Sequence, residues 1–586
     1  MNYINFIEEN KKINRPWIKY YSDPSLADLY YPDGTMYDVF SETVKKYPEA
    51  IALDYMNTKT SYKKLHSEVL RCAKALSENG VLPGDRITVC LPNIPQAVIV
   101  FYAIIYLGAH ANMIHPLSAG SEIEFYVNTS KSKLLFIFDA FYKKASAINC
   151  PTLKKTIYAG AAEYLPFPLR LGFNLTKGRK IQKPQACNEN AFSVESWTDF
   201  ISKYKKKQIA DDFGAKDIKA THTAVILYSG GTTGTQKGIM LSHLNFNALA
   251  TQTAANGTDS IHPGHTMLAV LPLFHGFGLG VCIHTAIMKG CTIILVPQFN
   301  ADSFAQLLRK KTPTFVAGVP TLYEALLRNN RLDGVDFSNI KGVFAGGDTL
   351  PHDVKIRFDE ALRQRGAKVA LREGFGLTEC VTASALTPAK EYRKGSVGIP
   401  YSDTFYKIVE PGTAKELPAN TDGEICISGP SVMNGYLDNK EETDKVLKRH
   451  EDGLVWLHTG DLGTMDEDGF IYFKSRIKRM IKCSGYSVYP SQIEEIINAH
   501  EAVSVSCIIG VHDDYKMNKI KAFIVLKDGL EPTAQIRASI EEHCKNNIAR
   551  YSLPKEYEYK ASLPLTKVGK VAYTVLEKEE MSKNVK

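Results

Sequence analysis

The 586-residue chain has no Cys-x-x-Cys pair, no apolar run long enough to cross a bilayer and no large excess of either charge. Each absence removes a class of protein. Eleven scattered cysteines, odd in number and without paired spacing, argue against a disulfide framework or a zinc site and fit a reducing cytosol. The longest apolar stretch, AVIVFYAIIYLG at 97–108, falls well short of the roughly 20 residues of a spanning helix and is expected as a buried helix. The opening MNYINFIEENKKINRPW carries acidic residues where a secretory leader has an apolar core, so no leader is expected. With 71 Lys and Arg against 63 Asp and Glu, the net charge of +8 is modest, and no aromatic-studded basic face is evident. No nucleic-acid partner is expected.

What is present is the composition of an ordinary globular protein, 44% hydrophobic and 23% charged, in a chain long enough for two or more domains. From about residue 223 to 379, short apolar runs alternate with amphipathic ones. TAVILY, TMLAVLPLF, CTIILVP, TFVAGV, KGVFAGG and AKVALREGFG predict strands; DSFAQLLRKK, PTLYEALLRNN and LPHDVKIRFDEALRQRG predict helices. That alternation predicts a mostly parallel sheet covered on both faces, and the block 62–135 repeats it. Ligands on such sheets bind beyond the carboxyl ends of the strands. Three segments fall there: GVPT at 318–321, AGGDTLP at 345–351 and GFGLTE at 374–379. After Lys394 strands and tight turns take over, with a hairpin signal at Asp468-Gly469. KSRIKRMIKCSG at 474–485 reads as a junction before a compact α+β unit. The polar, partly basic stretch 163–219 is expected as a surface excursion.

YSGGTTGTQKGIMLSH, at 228–243, has the glycines, hydroxyls and lysine of a phosphate loop. The ATPase version needs Gly-Lys-Ser/Thr at the mouth of a helix, so that the hydroxyl reaches Mg²⁺. Here Gly238 follows Lys237 and IMLSH predicts a strand, so another phosphate chemistry is needed. Six motifs together resemble the adenylate-forming (AMP-binding) superfamily of acyl-CoA synthetases, aryl-CoA ligases, luciferases and peptide-synthetase adenylation domains. YSGGTTGTQKG resembles its phosphate loop, LPLFHGFG its aromatic-histidine motif, and GFGLTE its nucleotide and metal motif. WLHTGD resembles its ribose motif, SRIKRMIKCSGYSV its hinge, and PLTKVGK its C-terminal lysine motif. The motifs occur in the family's order along nearly the whole chain.

The resemblance implies an α/β fold. Residues 1–475 would form a large N-terminal domain of mostly parallel sheets covered by helices plus a β-rich subdomain. Residues 476–586 would form a small mobile α+β domain. It also implies site residues. Ser229, Gly230, Gly231, Thr232, Thr233, Gly234 and Lys237 would cradle the β and γ phosphates of ATP through backbone N–H groups and hydroxyls. Gln236 replaces the usual proline, and Gly230 stands where relatives carry a hydroxyl, which leaves Thr232 as the substitute metal contact beside Glu379. Mg²⁺ takes one or two carboxylates plus phosphate oxygens, which suits Glu379, with Thr378 beside the α-phosphate. Gly346, Gly347 and Asp348, with Gly374, Phe375, Gly376 and Leu377, would wall the adenine. Asp461 and Arg476 would hold the ribose, and His275 would gate the carboxylate entrance, its Gly-Phe-Gly-Leu-Gly surroundings leaving space for an acyl chain.

Lys570 resembles the lysine that bridges substrate carboxylate and α-phosphate, a preorganised cation of a kind worth ~10²–10³ in rate. By the same resemblance, Lys478 would mark the hinge about which the small domain rotates, and Lys482 and Gly485 would line the tunnel for the CoA thiol. The implied activity is an ATP-dependent acyl-CoA synthetase for medium- to long-chain fatty acids, using ATP, CoA and Mg²⁺. AEYLPFPLRLGFNLTKGRK, at 162–180, resembles the corresponding excursion of bacterial long-chain fatty-acid ligases. Two alternatives stand beside it: an aryl- or steroid-acid CoA ligase, and an acyl-AMP ligase that loads a carrier protein. No carrier motif follows Lys570, which weighs against a fused carrier. Leu165, Phe167, Leu169, Leu171 and Phe173 alternate ahead of Lys177, Arg179 and Lys180, so a cytoplasmic enzyme touching the inner membrane face peripherally is part of the expectation.

Overall fold

The computed structural model describes residues 3–5, 13–146, 148–176, 192–204, 209–228, 236–257, 261–483, 486–513, 517–550, 552–565 and 571–584. Among them, two large sheets carry the N-terminal part. In one, the neighbours run Gly435–Tyr436, Gly238–Ser242, Thr223–Tyr228, His110–Met113, Arg86–Cys90, Leu134–Phe138, Lys155–Ala159 and Ser193–Ser196. All its pairings are parallel except those of Gly238–Ser242 with its two neighbours. The other sheet is parallel from Leu371–Phe375 through Gly342–Ala345, Phe315–Gly318, Thr266–Ala269 and Thr292–Leu295 to Ile51–Tyr55, with antiparallel strands at both edges.

The sequence explains these choices locally. The parallel strands are continuous apolar runs because helices cover both faces. IMLSH does continue the sheet as the strand Gly238–Ser242, with a helix beginning only at His243. The helix Pro95–Tyr106 is buried along its whole length, as an apolar surface on every side requires. Proline at its start supplies a ready φ and lacks only an N–H that would go unused there. It packs on the helix Tyr62–Glu78 and on the strands Arg86–Cys90 and His110–Met113. Truncating one of its isoleucines to alanine would cost about 2–5 kcal/mol.

A third, antiparallel sheet holds Phe405–Val409, Gly423–Ser428, Val455–Met465, Leu447–Arg449 and Ile471–Arg476. Its hairpin turns at Gly469, whose φ of 87° only glycine adopts cheaply. A short turn, Ile477–Arg479, leads into the smaller α+β unit of strands Val503–Asp513, Met517–Leu526 and Glu556–Tyr559 with helices Pro490–Asn498, Ala534–Asn547 and Tyr573–Asn584. Its core gathers Ile493, Ile497, Ile508, Ile524 and Ile540. All ten described cysteines are buried, and none of these is in a disulfide.

The alternating residues 165–173 fall largely on a helix, Phe167–Leu175. The region 163–219 is also more than an excursion. Ser193–Ser196 adds an edge strand, and Trp197, Phe200, Ile201 and Tyr204 are buried in the main core.

Candidate active site

The carboxyl ends of the second sheet open into a cleft of about 4190 Å³ whose walls include His275, Asp348, Glu379, Asp461, Arg476 and Lys478. The strand Leu371–Phe375 delivers one wall. Beyond it, Thr378–Cys380 makes a single tight turn, and Val381 and Thr382 follow with φ of 54° and 70°. A β-branched residue in the left-handed region is strained, by about 1–3 kcal/mol, and such residues cluster where function requires a fixed shape. The doubled-back chain is held by close packing. A Cβ on Gly376 would lie 2.6 Å from the Thr382 carbonyl carbon, so only glycine fits there.

Glu379, half-buried, accepts a hydrogen bond from the Tyr436 hydroxyl at 3.1 Å. Burial first, then the Glu379 carboxylate, pushes the Tyr436 hydroxyl well above its ordinary value, so it stays a donor. Lys237 lies over the Tyr436 ring, its Nζ 4.7 Å from the centroid, and is paired with Glu442. Lys237, and after it Lys445, hold the Glu442 carboxyl down at about 2. Gln236 bonds to the Tyr126 hydroxyl, tying the end of the phosphate-loop segment to the opposite wall. Ser229, Gly230, Gly231, Thr232, Thr233 and Gly234 lie outside the described residues.

The wall expected to face the adenine is built on the next strand over. Gly346 is packed so that an added Cβ would sit 3.1 Å from the Phe277 ring, and Gly347 turns the chain at φ 85°. Asp348 is exposed and caps its own loop through the Thr349 N–H at 2.9 Å. Glu373, unnoticed in the sequence, anchors this loop from below by accepting from the Leu350 N–H at 2.9 Å. Burial pushes its carboxyl up to about 8. Gly374, Phe375, Gly376 and Leu377 line the same cleft, as does Thr378.

Asp461 sits on the long strand Val455–Met465, directly opposite Arg476 in the ladder, and Arg476 Nε lies 2.7 Å from its Oδ1. The preceding turn is braced. The Glu424 carboxylate accepts from the Gly460 N–H at 3.0 Å and lies 3.0 Å from His458 Nδ1, while Thr459 donates to the Ile425 carbonyl at 2.6 Å. His458 is in turn 3.0 Å from His450, Nε2 to Nε2. This buried Glu424–His458–His450 chain was also not anticipated; the only signal for it was the histidine inside WLHTGD.

His275 lines the cleft, and its Nδ1 accepts from the Phe277 N–H at 3.3 Å, which leaves the proton of the neutral ring on Nε2. Its neighbour Phe274 lies against His115 with ring centroids 4.4 Å apart and planes tilted by 46°. The adjoining glycines do not leave an open slot. A Cβ on Gly278 would meet the Pro272 carbonyl at 2.1 Å, and one on Gly280 would meet Leu249 at 2.5 Å. They let the π-helix Phe277–His284 pack on backbone and side chain, and the small cavity next to Phe277 and Phe344 measures only about 20 Å³.

Lys478 is exposed in the turn Ile477–Arg479. The next residue anchors the small unit: the Arg479 guanidinium pairs with Glu494 and lies 4.7 Å from the centre of the Tyr573 ring. Lys482 falls on the short strand Ile481–Cys483, whereas Gly485 and Lys570 lie outside the described residues. No group of three or more His, Cys, Asp or Glu converges on a metal among the described residues. A lone carboxylate at Glu379 suits Mg²⁺, which keeps waters and phosphate oxygens, better than it suits a caged transition metal.

The sequence matches the AMP-binding enzyme family over residues 40–437, and the AMP-binding enzyme C-terminal domain over 492–570. The chain belongs to the AMP-binding enzyme family. It is an AMP-forming acid–thiol ligase by class. Relatives of this AMP-binding enzyme include a long-chain-fatty-acid–CoA ligase of Bacillus subtilis, 32% identical over 97% of this chain and 98% of that protein. A protein of the same name from Escherichia coli O6:H1 is 29% identical over 94% and 95%. Among solved structures, an anthranilate CoA ligase in complex with anthranoyl-AMP superposes with a TM-score of 0.79 over 94% of this chain and 97% of that one. At 23% identity it establishes the shared fold alone. The AMP-binding enzyme thus has the expected α/β architecture, a large domain of parallel sheets followed by a smaller one, and among its described residues no helix long and apolar enough to cross a membrane.

Proposed function

We propose that this AMP-binding enzyme activates a medium- or long-chain fatty acid. A carboxylate oxygen attacks the α-phosphorus of ATP, the bond to the bridging oxygen breaks, and pyrophosphate leaves. The CoA thiol then attacks the acyl carbon of the acyl-AMP and AMP departs. The observation that carries the fatty-acid reading is the near-full-length likeness to a long-chain-fatty-acid–CoA ligase. The cleft geometry supports the division of labour. In this division Asp461 and Arg476 would hold the ribose, the loop Gly346–Asp348 and the segment Gly374–Leu377 would wall the adenine, and Thr378 would lie beside the α-phosphate. By the sequence resemblance alone, Ser229, Gly230, Gly231, Thr232, Thr233, Gly234 and Lys237 would take the β and γ phosphates, and His275 would offer Nε2–H to the acid. Mg²⁺ held by Glu379, with Thr232, would neutralise phosphate charge.

In this reading residues 1–475 bind ATP and acid, and residues 476–586 swing about Lys478. One face presents Lys570 for adenylation; the other presents Lys482 and Gly485 for the thiol. The enzyme works in the cytoplasm, touching the inner membrane face peripherally. The test is pyrophosphate release with a panel of saturated fatty acids, benzoates and steroid acids, with thioester product measured in parallel. The reading expects CoA-dependent turnover that is fastest with medium- or long-chain acids. Faster turnover of aryl acids, or acyl-AMP formed without thioester, would remove it.

A further inference from the structure

Asp461 does not sit in a regular ladder. Between the pairs Cys426–His458 and Glu424–Leu462, the strand Gly423–Ser428 advances by two residues while Val455–Met465 advances by four. The surplus is a β-bulge at Thr459, Gly460 and Asp461, and Gly460 takes a φ of 69° within it. A bulge re-aims the side chain it carries. Here that side chain is the buried carboxylate paired with Arg476.

Glu424 braces this bulge from the neighbouring strand, and its two oxygens have different partners. Oε1 accepts from the Gly460 N–H at 3.0 Å, and Oε2 lies 3.0 Å from His458 Nδ1. Burial would raise the Glu424 carboxyl, but the His458 ring and the Gly460 N–H hold it below its ordinary value. A carboxylate only accepts, so His458 Nδ1 carries the proton and His458 Nε2 must accept in turn. Its donor is His450 Nε2, 3.0 Å away. The other His450 nitrogen, Nδ1, is buried without a hydrogen-bond partner among the described residues, which suits a bare lone pair and not an N–H. Burial pushes the His450 ring down to about 4, so near neutral pH it stays uncharged. Every proton in the chain therefore has one place. Ladder pairs on either side of the bulge already join the two strands, so pairing does not require a buried carboxylate and two imidazoles. Glu424, His458, Gly460 and Asp461 all line the cleft.

We infer that Glu424, oriented by His458 and His450, is a positioning residue that fixes the angle of the Asp461 carboxylate and so makes the site select a ribonucleotide over a deoxyribonucleotide. A carboxylate set at the right angle accepts from both vicinal hydroxyls of ribose; a tilted one reaches a single hydroxyl. A site built to bond a hydroxyl rejects the analogue that lacks it. The inference rests on the reading of Asp461 as the ribose residue.

The test measures binding of ATP, 2′-deoxy-ATP and 3′-deoxy-ATP to the full chain with Mg²⁺, and steady-state turnover of oleate. The wild type prefers ATP over each analogue by at least about tenfold. Glu424→Ala loses at least about tenfold on ATP but less than about threefold on the analogues, so the preference collapses. Its KM for ATP rises by the same factor, while kcat at saturating ATP and the KM for oleate stay within about threefold of wild type. Glu424→Gln keeps an acceptor for the Gly460 N–H and restores ATP affinity to within about threefold. Unchanged ATP affinity in Glu424→Ala overturns the inference, as do equal losses on all three nucleotides or a glutamine variant no better than the alanine one. Should Glu424→Ala fail to fold, His458→Leu carries the test, with a loss of at least about threefold confined to ATP. No loss there overturns the inference as well. Asp461→Asn separates the two readings. A preference for ATP that survives Asp461→Asn removes the ribose reading and the inference with it. A preference lost in Asp461→Asn but kept in Glu424→Ala removes the inference alone.

Discussion

Glu373 shows how one buried side chain can make stability depend on pH. The residue is 8% exposed, and burial lifts its carboxyl from an ordinary 4.5 to about 8. Below pH 4.5 both folded and unfolded chains hold the proton. Between 4.5 and about 8 the unfolded chain gives it up while the folded one keeps it, so the group's contribution to stability falls as pH rises and levels off above 8. The slope is on the order of 1.4 kcal/mol per pH unit at most. Glu373→Gln keeps an acceptor for the Leu350 N–H and has nothing to titrate. Its Tm should therefore gain on the wild type between pH 5 and pH 9; an unchanged difference would mean that the site is wetter than its burial indicates. None of this is legible in the sequence, where Glu373 is one more acidic residue in REGFG. Proximity in the chain marked Glu379, but only the fold reveals which carboxyl lies under a loop.

The turn Ile477–Arg479 is the element on which the proposed rotation of the small unit would depend, and it is short enough for one substitution to lock. Met480 N–H bonds to the Arg476 and Ile477 carbonyls at 3.2 and 3.3 Å, so the chain here is tightly wound. Proline at 478 would fix its own φ and push Ile477 out of helical space. Lys478→Pro should keep one half-reaction within a few-fold of wild type and lose the other. Measuring acyl-AMP formation and its conversion to thioester separately checks this, and equal losses in both would exclude a hinge at that residue. The strands and helices of the second sheet were legible because each is a buried apolar run or a one-faced helix of ordinary length. The segment 165–173 was not, since period-two alternation in so short a stretch is also met by a helix exposed on most sides. Pro168 in its first turn is compatible with that helix and gave the clearer signal. The glycines after His275 were misleading for a related reason: a missing Cβ marks close approach, and the sequence does not say whether ligand or protein makes it.

At the scale of the whole molecule, two faces of one small domain are proposed to serve two reactions in turn. Lys570→Ala should lose acyl-AMP formation by roughly 10²-fold or more, yet convert supplied acyl-AMP and CoA to thioester at a nearly normal rate. A bulky residue at Gly485 should do the reverse. Parallel losses in both halves for Lys570→Ala would assign the lysine wrongly, and parallel losses at Gly485 would remove the tunnel. The ion pair between Arg476 and Asp461 bears on how this cycle closes. The Asp461 side chain is 1% exposed, and leaving such a charge without a partner is costly. On its proposed role, Asp461 gives up the ribose whenever AMP departs. Arg476, half-exposed and one strand away at 2.7 Å, is already there to take the vacated place. On that proposed role the protein would carry its own placeholder for the nucleotide, mounted beside the proposed pivot. By reciprocity, whatever factor the bound nucleotide applies to that contact is the factor by which the pivot's setting alters nucleotide affinity. Emptying the site and turning the domain then become one coupled equilibrium.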